Sequence, residues 1–275
     1  MREGTGAPDL PPGLVAALER LRPRLHGFVS DVTYHEDIGS TNDEAMRRSA
    51  AGAPEGTVVL AGRQTAGRGR HGRSWHSPRG AGLYLSVLLR PDAGNRGGLV
   101  TLMAGVAAAD AVHRMSGLEV ALKWPNDLVV LTPAGRRKLG GILAEASIVG
   151  STLTHIVLGI GINVRRAALP ADLGEIATSV EGETGRAVET WSLAAELLAL
   201  LAEGWHLLRS GEERLVLSAW RARARPLLGR RVRWATGGAD HEGVARDVDD
   251  TGALIVDTSS GPERVVAGEV VWSDT

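Results

Sequence analysis

The sequence predicts an α+β protein: a body of strands and helices over residues 31–225, an all-β module over 226–275, and an N-terminal extension over 1–30. Three observations predict it. Strand-like and helix-like stretches are mixed along the body. A long amphipathic helix, Trp191–Leu208, lies near its end, with Leu193, Leu197, Leu201, Trp205 and Leu208 on one face. Beyond Pro226 the texture changes to short strand-like runs between Gly and Asp turns.

The first dozen residues are rich in Gly and Pro and are expected to be mobile. Leu14, Val15, Leu18, Leu21 and Leu25 then recur at helical spacing, a pattern that Pro23 is expected to interrupt. Ser40-Thr41-Asn42 precedes a helical stretch, Asp43–Ala50, and Thr41 with Glu44 matches the capping box S/T-x-x-E. Thr57–Ala61 (TVVLA) and Leu83–Leu89 (LYLSVLL) read as buried strands on either side of a Gly/Arg-rich loop, Ala66–Gly80. Gly98–Met115 is rich in Ala, Leu and Val and reads as a buried helix. Glu119–Leu122 enters a Trp-Pro-Asn-Asp turn and Leu128–Leu131 leaves it. Lys138–Ile148 and His155–Val164 read as a pair of strands with small residues at their centres.

Ser192 is the expected N-cap of the long helix, and a shorter helix near Glu212–Ala224 leads to Pro226. Arg231–Trp234, Glu242–Val248, Ala253–Asp257 and Glu263–Ala267 then suggest a small β-barrel.

Composition narrows the function classes. The hydrophobic fraction of 43% over 275 residues allows a sizeable core. The formal net charge of −1 gives no global basic field of the kind a dedicated nucleic-acid binder shows, so anions must be bound by local clusters. The absence of cysteine excludes disulfides, thiolate catalysis and cysteine-based zinc sites. Neither an apolar signal core nor a run of about 18 apolar residues appears, so a cytoplasmic protein with no membrane partner is expected.

The strongest local cluster is Gly67–Trp75 (GRGRHGRSW). Arg63, Arg68, Arg70, Arg73 and Arg79 gather here with His71 and His76, punctuated by Gly67, Gly69, Gly72 and Gly80. Glycine lets backbone N–H groups approach a ligand, and arginine offers a planar fork for phosphate or carboxylate oxygens. The Walker A pattern is missing. Composition alone leaves a solvated basic loop, or a contact with RNA, equally open.

Two further stretches carry chemistry. Lys123-Trp124-Pro125-Asn126-Asp127 sets a cation and two oxygen-bearing side chains around a rigid turn. Lys138–Glu145 (KLGGILAE) sets a lysine ahead of two glycines, whose missing side chains let a ligand lie against a strand. Singly, the first could be only a turn with a buried Trp, and Lys138 only a strand-edge gatekeeper.

Together these segments resemble the biotin–protein ligase family. GRGR-x-G-R-x-W, KWPND, K-[LA]-[AG]-GIL-x-E and G-x-G-[IL]-N occur in order at 67–75, 123–127, 138–145 and 159–163, and Ser40-Thr41-Asn42 and Gln64 match as well. The likeness spans roughly residues 35–270. It implies a mixed sheet flanked by helices, of the class II synthetase-like biotin–lipoate ligase type, with an SH3-like C-terminal barrel. It also implies synthesis of biotinyl-5′-adenylate from biotin and MgATP, then transfer of biotin to a lysine of a biotin carboxyl carrier domain. ATP and Mg²⁺ are the implied cofactors, and a carboxylase carrier the implied partner.

Residue by residue, the resemblance places Ser40, Thr41 and Asn42 at the biotin ureido ring, with Gln64 beside them. Arg68, Gly69 and Arg70 close over biotin and the phosphate, and Gly141, Gly159 and Gly161 line the biotin wall. Arg70, Arg73, Asn126, Lys138 and Asn163 face the nucleotide, Trp75 is the expected stacking partner of adenine, and Asp127 is the metal ligand. Lys138 and Arg70 are the expected catalytic residues. A fixed lysine between carboxylate and α-phosphate offsets their repulsion and the charge that builds on phosphorus. The resemblance names no general base for the transfer step; Asp127 is one candidate, by proximity alone, whereas His71 and His76 are expected to be incidental and no zinc site is expected.

The extension ahead of Ser40 is too short for the DNA-binding domain of bifunctional members, so no DNA partner is expected. His71 and Ser74 depart from the basic residues other members carry in the loop. Gly268-Glu269 is a candidate domain contact. Edge-strand pairing with the carrier, or self-dimerisation through the same face, is compatible with the family. A lipoate–protein ligase, which shares the fold, is the nearest alternative.

Overall fold

The computed structural model describes residues 10–91, 97–150, 152–170, 173–236, 238–266 and 268–273. Seven strands form one sheet: β1 (Asp31–Ile38), β2 (Thr57–Gln64), β3 (Gly82–Leu89), β4 (Ala121–Lys123), β5 (Asp127–Thr132), β6 (Gly135–Val149) and β7 (Thr152–Asn163). Their order is β1-β2-β3-β7-β6-β5-β4. β1 and β2 run parallel and every other pair antiparallel, the mixed sheet expected.

Strand period 2 explains how the sheet separates its core from its site. On one face Val58, Leu60, Leu85, Val87, Leu158 and Ile160 join a large apolar cluster with the helices α3 (Gly97–Ser116) and α5 (Thr190–Arg209). On the other face Val59, Leu88 and Val157 pack against Ala45 of α2 (Thr41–Ala50). The same alternation places Ser86, Gly159 and Gly161 on the α2 face, where small residues leave room above the sheet.

Several local expectations are corrected. α1 (Pro12–Leu25) runs through Pro23 rather than being interrupted by it, because the proline falls in the last turn. The N-cap of α2 is Ser40, whose hydroxyl accepts from the Asp43 N–H, so the capping pair is not Thr41 with Glu44. The N-cap of α5 is Glu189 instead of Ser192, its carboxylate accepting from the N–H groups of Trp191 and Ser192. β1 and β12 (Val270–Trp272) carry too weak a sequence signal to have been expected. β1 follows no clean alternation, and β12 is three residues long.

The extension is not a loose tail beyond residue 12. Leu14 and Ala17 are buried, and α1 lies along α5, where Arg24 donates to both Glu196 carboxylate oxygens at 2.9 and 2.8 Å and to Glu203 at 2.8 Å. The expected mobility of the first dozen residues falls mostly on 1–9, outside the described residues.

α4 (Val180–Thr184) is a single short turn, and α6 (Glu213–Ala224) leads into the C-terminal module. There β8 (Arg231–Thr236), β9 (Ala239–Val248), β10 (Leu254–Thr258), β11 (Gly261–Val265) and β12 form an antiparallel sheet in the order β11-β10-β9-β8-β12. Among the described residues the pairing is an open series and does not close the ring expected of a barrel; Ala267, the last residue of the expected fourth strand, lies outside them. Val232, Trp234, Leu254, Val256 and Trp272 join the main core, and the Trp124 indole N–H donates to Gly252 O at 3.0 Å. The module is thus packed onto the larger body. No described helix is long and apolar enough to cross a membrane.

Candidate functional site

The α2 face of the sheet opens into a cavity of about 410 Å³. Every site residue expected above lines it: Ser40, Thr41 and Asn42 from the start of α2, Gln64 from β2, the Arg68–Trp75 loop, Asn126 and Asp127 from the β4–β5 turn, Lys138 and Gly141 from β6, and Gly159, Gly161 and Asn163 from β7. Segments far apart in the chain therefore meet as the motif order suggested.

At one end lies a buried polar network. The backbone N–H and the hydroxyl of Thr41 both donate to Gln64 Oε1, at 2.8 and 3.1 Å. Ser86 Oγ lies 2.8 Å from Thr41 Oγ1 and 2.6 Å from Asn42 Oδ1. The Asn42 amide donates to Glu145 Oε2 at 2.7 Å. Gly159 permits this, since a Cβ there would stand 2.1 Å from Asn42 Oδ1. Ser40, Thr41, Asn42 and Ser86 are all buried, so this end is a preorganised set of donors and acceptors.

The loop is a hairpin rather than an open coil. Arg68 and Ser74 form an antiparallel bridge, the Trp75 N–H donates to Gly67 O at 2.8 Å, and a 3-10 turn over Arg70–Gly72 makes the reversal. His71 and Gly72 take positive φ there, 55° and 72°. Arg68 donates to Glu145 Oε1 and Oε2 at 2.8 Å and to Asp43 at 2.6 Å. Arg70 reaches inward to Asn126 Oδ1 and to Gly268 O, each at 3.3 Å. Burial lowers its pKa, a shift that Asp127 and Glu269 partly offset. Arg73 pairs with Glu269. The loop thereby touches the C-terminal module at Gly268-Glu269, the contact expected from the sequence.

Trp75 folds back over the glycine wall. A Cβ on Gly161 would lie 2.6 Å from its ring, and Lys138 Nζ sits 5.5 Å from the ring centroid. Its indole Nε1 is buried with no hydrogen-bond partner. In this arrangement its ring covers Gly141 and Gly161, residues expected at the biotin wall.

Lys138 Nζ lies 2.5 Å from Asp127 Oδ1, and Lys123 Nζ lies 3.1 Å from Oδ2. Burial pushes the Asp127 carboxyl up, but the two ammonium groups outweigh it and hold the pKa below its usual value. A divalent ion entering here would have to displace a lysine from that carboxylate. No cluster of three or more His, Asp or Glu side chains able to hold a metal occurs among the described residues. In this arrangement Asp127 acts as a lysine-positioning group. Asn163 is also engaged, its amide donating to Thr178 O at 3.0 Å, and Thr178 in turn pairs with the Lys138 backbone.

Sequence reasoning missed Ser86, Lys123 and Glu145 as members of the network. It also missed the apolar wall of Leu169, Pro170, Leu173 and Ile176. Glu145 and Lys123 lay inside motifs already singled out. Ser86 and the apolar wall had no local signal.

Fold and cavity define a class: a two-part α+β protein with a cleft lined by arginine and lysine side chains where a mixed sheet meets an antiparallel module. Residues 35–163 match the biotin/lipoate A/B protein ligase family, and residues 227–272 match the biotin protein ligase C-terminal domain. The chain is 39% identical to the biotin–[acetyl-CoA-carboxylase] ligase of Mycobacterium tuberculosis, covering 85% of each chain. It is 37% identical to the enzyme of the same name from Paracoccus denitrificans, over 85% of this chain and 97% of that one. In fold it resembles a biotin protein ligase from Aquifex aeolicus solved with biotin and ATP, at a TM-score of 0.77 and 24% identity over 90% of this chain and 100% of the other. The chain belongs to the biotin/lipoate A/B protein ligase family.

Proposed function

We infer that the protein is an ATP-dependent biotin–protein ligase. The observation that carries this is the convergence of the buried polar network, the glycine wall and Lys138 in one cleft beneath the arginine hairpin. The reading is supported by relatives named for this activity.

In the first step a biotin carboxylate oxygen attacks the α-phosphorus of ATP. A P–O bond forms, the bond to pyrophosphate breaks, and a mixed anhydride, biotinyl-5′-adenylate, results. The polar end of the cleft (Thr41, Asn42, Gln64) holds the ureido ring, and Gly141, Gly159 and Gly161 let the valeryl chain lie against the sheet. Lys138 stands where carboxylate and phosphate meet and offsets their mutual repulsion. Asp127, which is also paired with Lys123, holds it in place. Arg70 and Arg73 supply further cations to the phosphates. Asn163 acts on the nucleotide side by shaping the Thr178 segment.

In the second step a carrier lysine attacks the biotinyl carbonyl, AMP leaves with its oxygen, and the lysine loses a proton. Asp127 is a poor base for it, since both oxygens already hold ammonium protons.

The carrier has a matching edge on the protein. β5 pairs with β6 only as far as Gly141, so the later part of β6 pairs with β7 alone among the described strands, and Ile148 and Val149 near its end are 65% and 70% exposed. A biotin carboxyl carrier domain, or a second copy of this chain, can add a strand there. The need for ATP and the absence of cysteine suit a cytoplasmic setting.

Pyrophosphate exchange run with biotin, with lipoate and with no acid tests the function, followed by labelling of a carrier domain. Exchange dependent on biotin, with label on one carrier lysine, is expected. Exchange with lipoate alone would overturn the assignment in favour of a lipoate ligase.

A further inference from the structure

Glu145 lies just beyond the cavity lining on β6, and the reaction described above gives it no task. Its carboxylate nevertheless has two partners that do have tasks. Oε2 accepts from the Asn42 amide at 2.7 Å and from Arg68 at 2.8 Å, and Oε1 accepts from the second Arg68 nitrogen at 2.8 Å. The Arg68 guanidinium is further tied to Asp43 at the start of α2. Its fork is thus filled by protein carboxylates, and a ligand anion would have to compete with both of them.

Amide orientation follows from the same contact. With its NH₂ held by Glu145, Asn42 must turn Oδ1 toward Ser86 and the bare face of Gly159. A glutamate is suited to this, because a charged acceptor can hold an amide donor and a bidentate arginine at once. A neutral glutamine offers one acceptor oxygen and would present its own donors to Arg68.

We propose that Glu145 is a positioning residue that couples closure of the arginine hairpin to the orientation of Asn42 in the polar end of the cleft. This rests on the reading of that end as the biotin ureido site. Arg68 then works as a staple between loop, α2 and β6 rather than as a ligand of the phosphate.

The test uses the full chain, comparing wild type, Glu145→Gln, Glu145→Asp, Arg68→Gln and the Glu145→Gln/Arg68→Gln pair. Steady-state exchange gives the biotin KM and kcat, and filter retention gives the escape rate of the adenylate. The expected result is a biotin KM raised about tenfold or more in Glu145→Gln, the scale of one lost charge-assisted hydrogen bond, with kcat falling by a smaller factor. Escape of the adenylate should also speed up. Glu145→Asp, one methylene shorter but still charged, should recover part of both effects. The double variant should be no worse than the weaker single variant, because the two residues act as one unit.

Unchanged KM and escape rate in Glu145→Gln would overturn the proposal, and so would additive losses in the double variant. If Glu145→Gln fails to fold, Arg68→Gln and Glu145→Asp still decide: a normal biotin KM in both would overturn it. Wild type inactive with biotin would instead remove the functional reading beneath it, so the two failures are separable.

Discussion

The indole of Trp75 lies on the bare Cα of Gly161, so close that a Cβ there would stand 2.6 Å from two ring atoms. The contact joins the end of the arginine hairpin to the floor of the cleft. Gly161→Ala should push the ring off the strand, since a fused indole cannot give way as a flexible chain end would. The same Cβ narrows the wall proposed for the biotin valeryl chain, and overpacking of about 1–3 kcal/mol there should lower biotin affinity about tenfold or more. Calorimetric titration checks it, and an affinity equal to wild type would show that the ring is free to move.

Lys138→Ala should cut the rate of adenylate formation by about 10²–10³-fold or more, the scale of a lost preorganised charge. Asp127 keeps Lys123 as a partner, so the variant should still fold. Rapid-quench single turnover with biotin and ATP is the measurement. A rate near that of wild type would remove Lys138 from the chemistry.

Arg70 is half-buried between Asn126 and Gly268, bridging the hairpin and the C-terminal module. Arg70→Gly removes both contacts from a loop whose tip already relies on Gly72. The expected outcome is faster release of biotinyl-adenylate, seen as promiscuous acylation of bystander amines. Release no faster than wild type would mean that the lid does not depend on this side chain.

Acid sensitivity should begin above the carboxylate range. Burial lowers the pKa of His35 and of His155 below 6.5, and the ring Nε2 of each is buried without a hydrogen-bond partner. Between the unfolded value and the lower folded value, only the unfolded chain takes up the proton. Stability is therefore fully present above about pH 6.5 and declines as pH falls toward the folded values. Urea unfolding at pH 7.5 and 5.5 should show this decline in the wild type and a smaller one in His35→Gln/His155→Gln. An equal decline in both would assign the effect to other groups.

Arg24→Ala should destabilise the fold although it lies far from the cleft. Glu196 is only 8% exposed and would retain Arg114 alone. A loss of about 1–2 kcal/mol is expected, less than for a fully buried pair because Arg24 is itself part-exposed. Denaturant titration checks it, and no change would show that α1 is held by its apolar face.

Much of the site is legible in the sequence because its residues are spaced by strand and turn rules. Large residues at Ile156, Leu158, Ile160 and Ile162 alternate with Gly159, Gly161 and Asn163, and that period separates a core face from a face of small residues, whose role as a ligand wall is what the family resemblance implies. Loop composition marks the basic hairpin without saying what it binds, and its company with the Trp-Pro-Asn-Asp turn and Lys138 is what carries the family resemblance. Helix caps are less legible. Ser40 and Thr41 are both competent caps, as are Glu189 and Ser192, and only the entry path of the chain chooses between them.

By itself, then, the sequence determined the α+β order of elements, the small residues on the cavity face of the sheet and the identity of the lysine and arginines that line the cavity. Tertiary structure decided which of those charges are available. Arg68 is taken up by Glu145, 77 residues away, Asn42 meets the same carboxylate across 103 residues, and Arg70 meets Gly268 across 198. Periodicity carries information over one or two turns of chain. A pairing between distant side chains depends on how sheet, helix and module are stacked, and that is set by the sum of the core contacts rather than by any one motif.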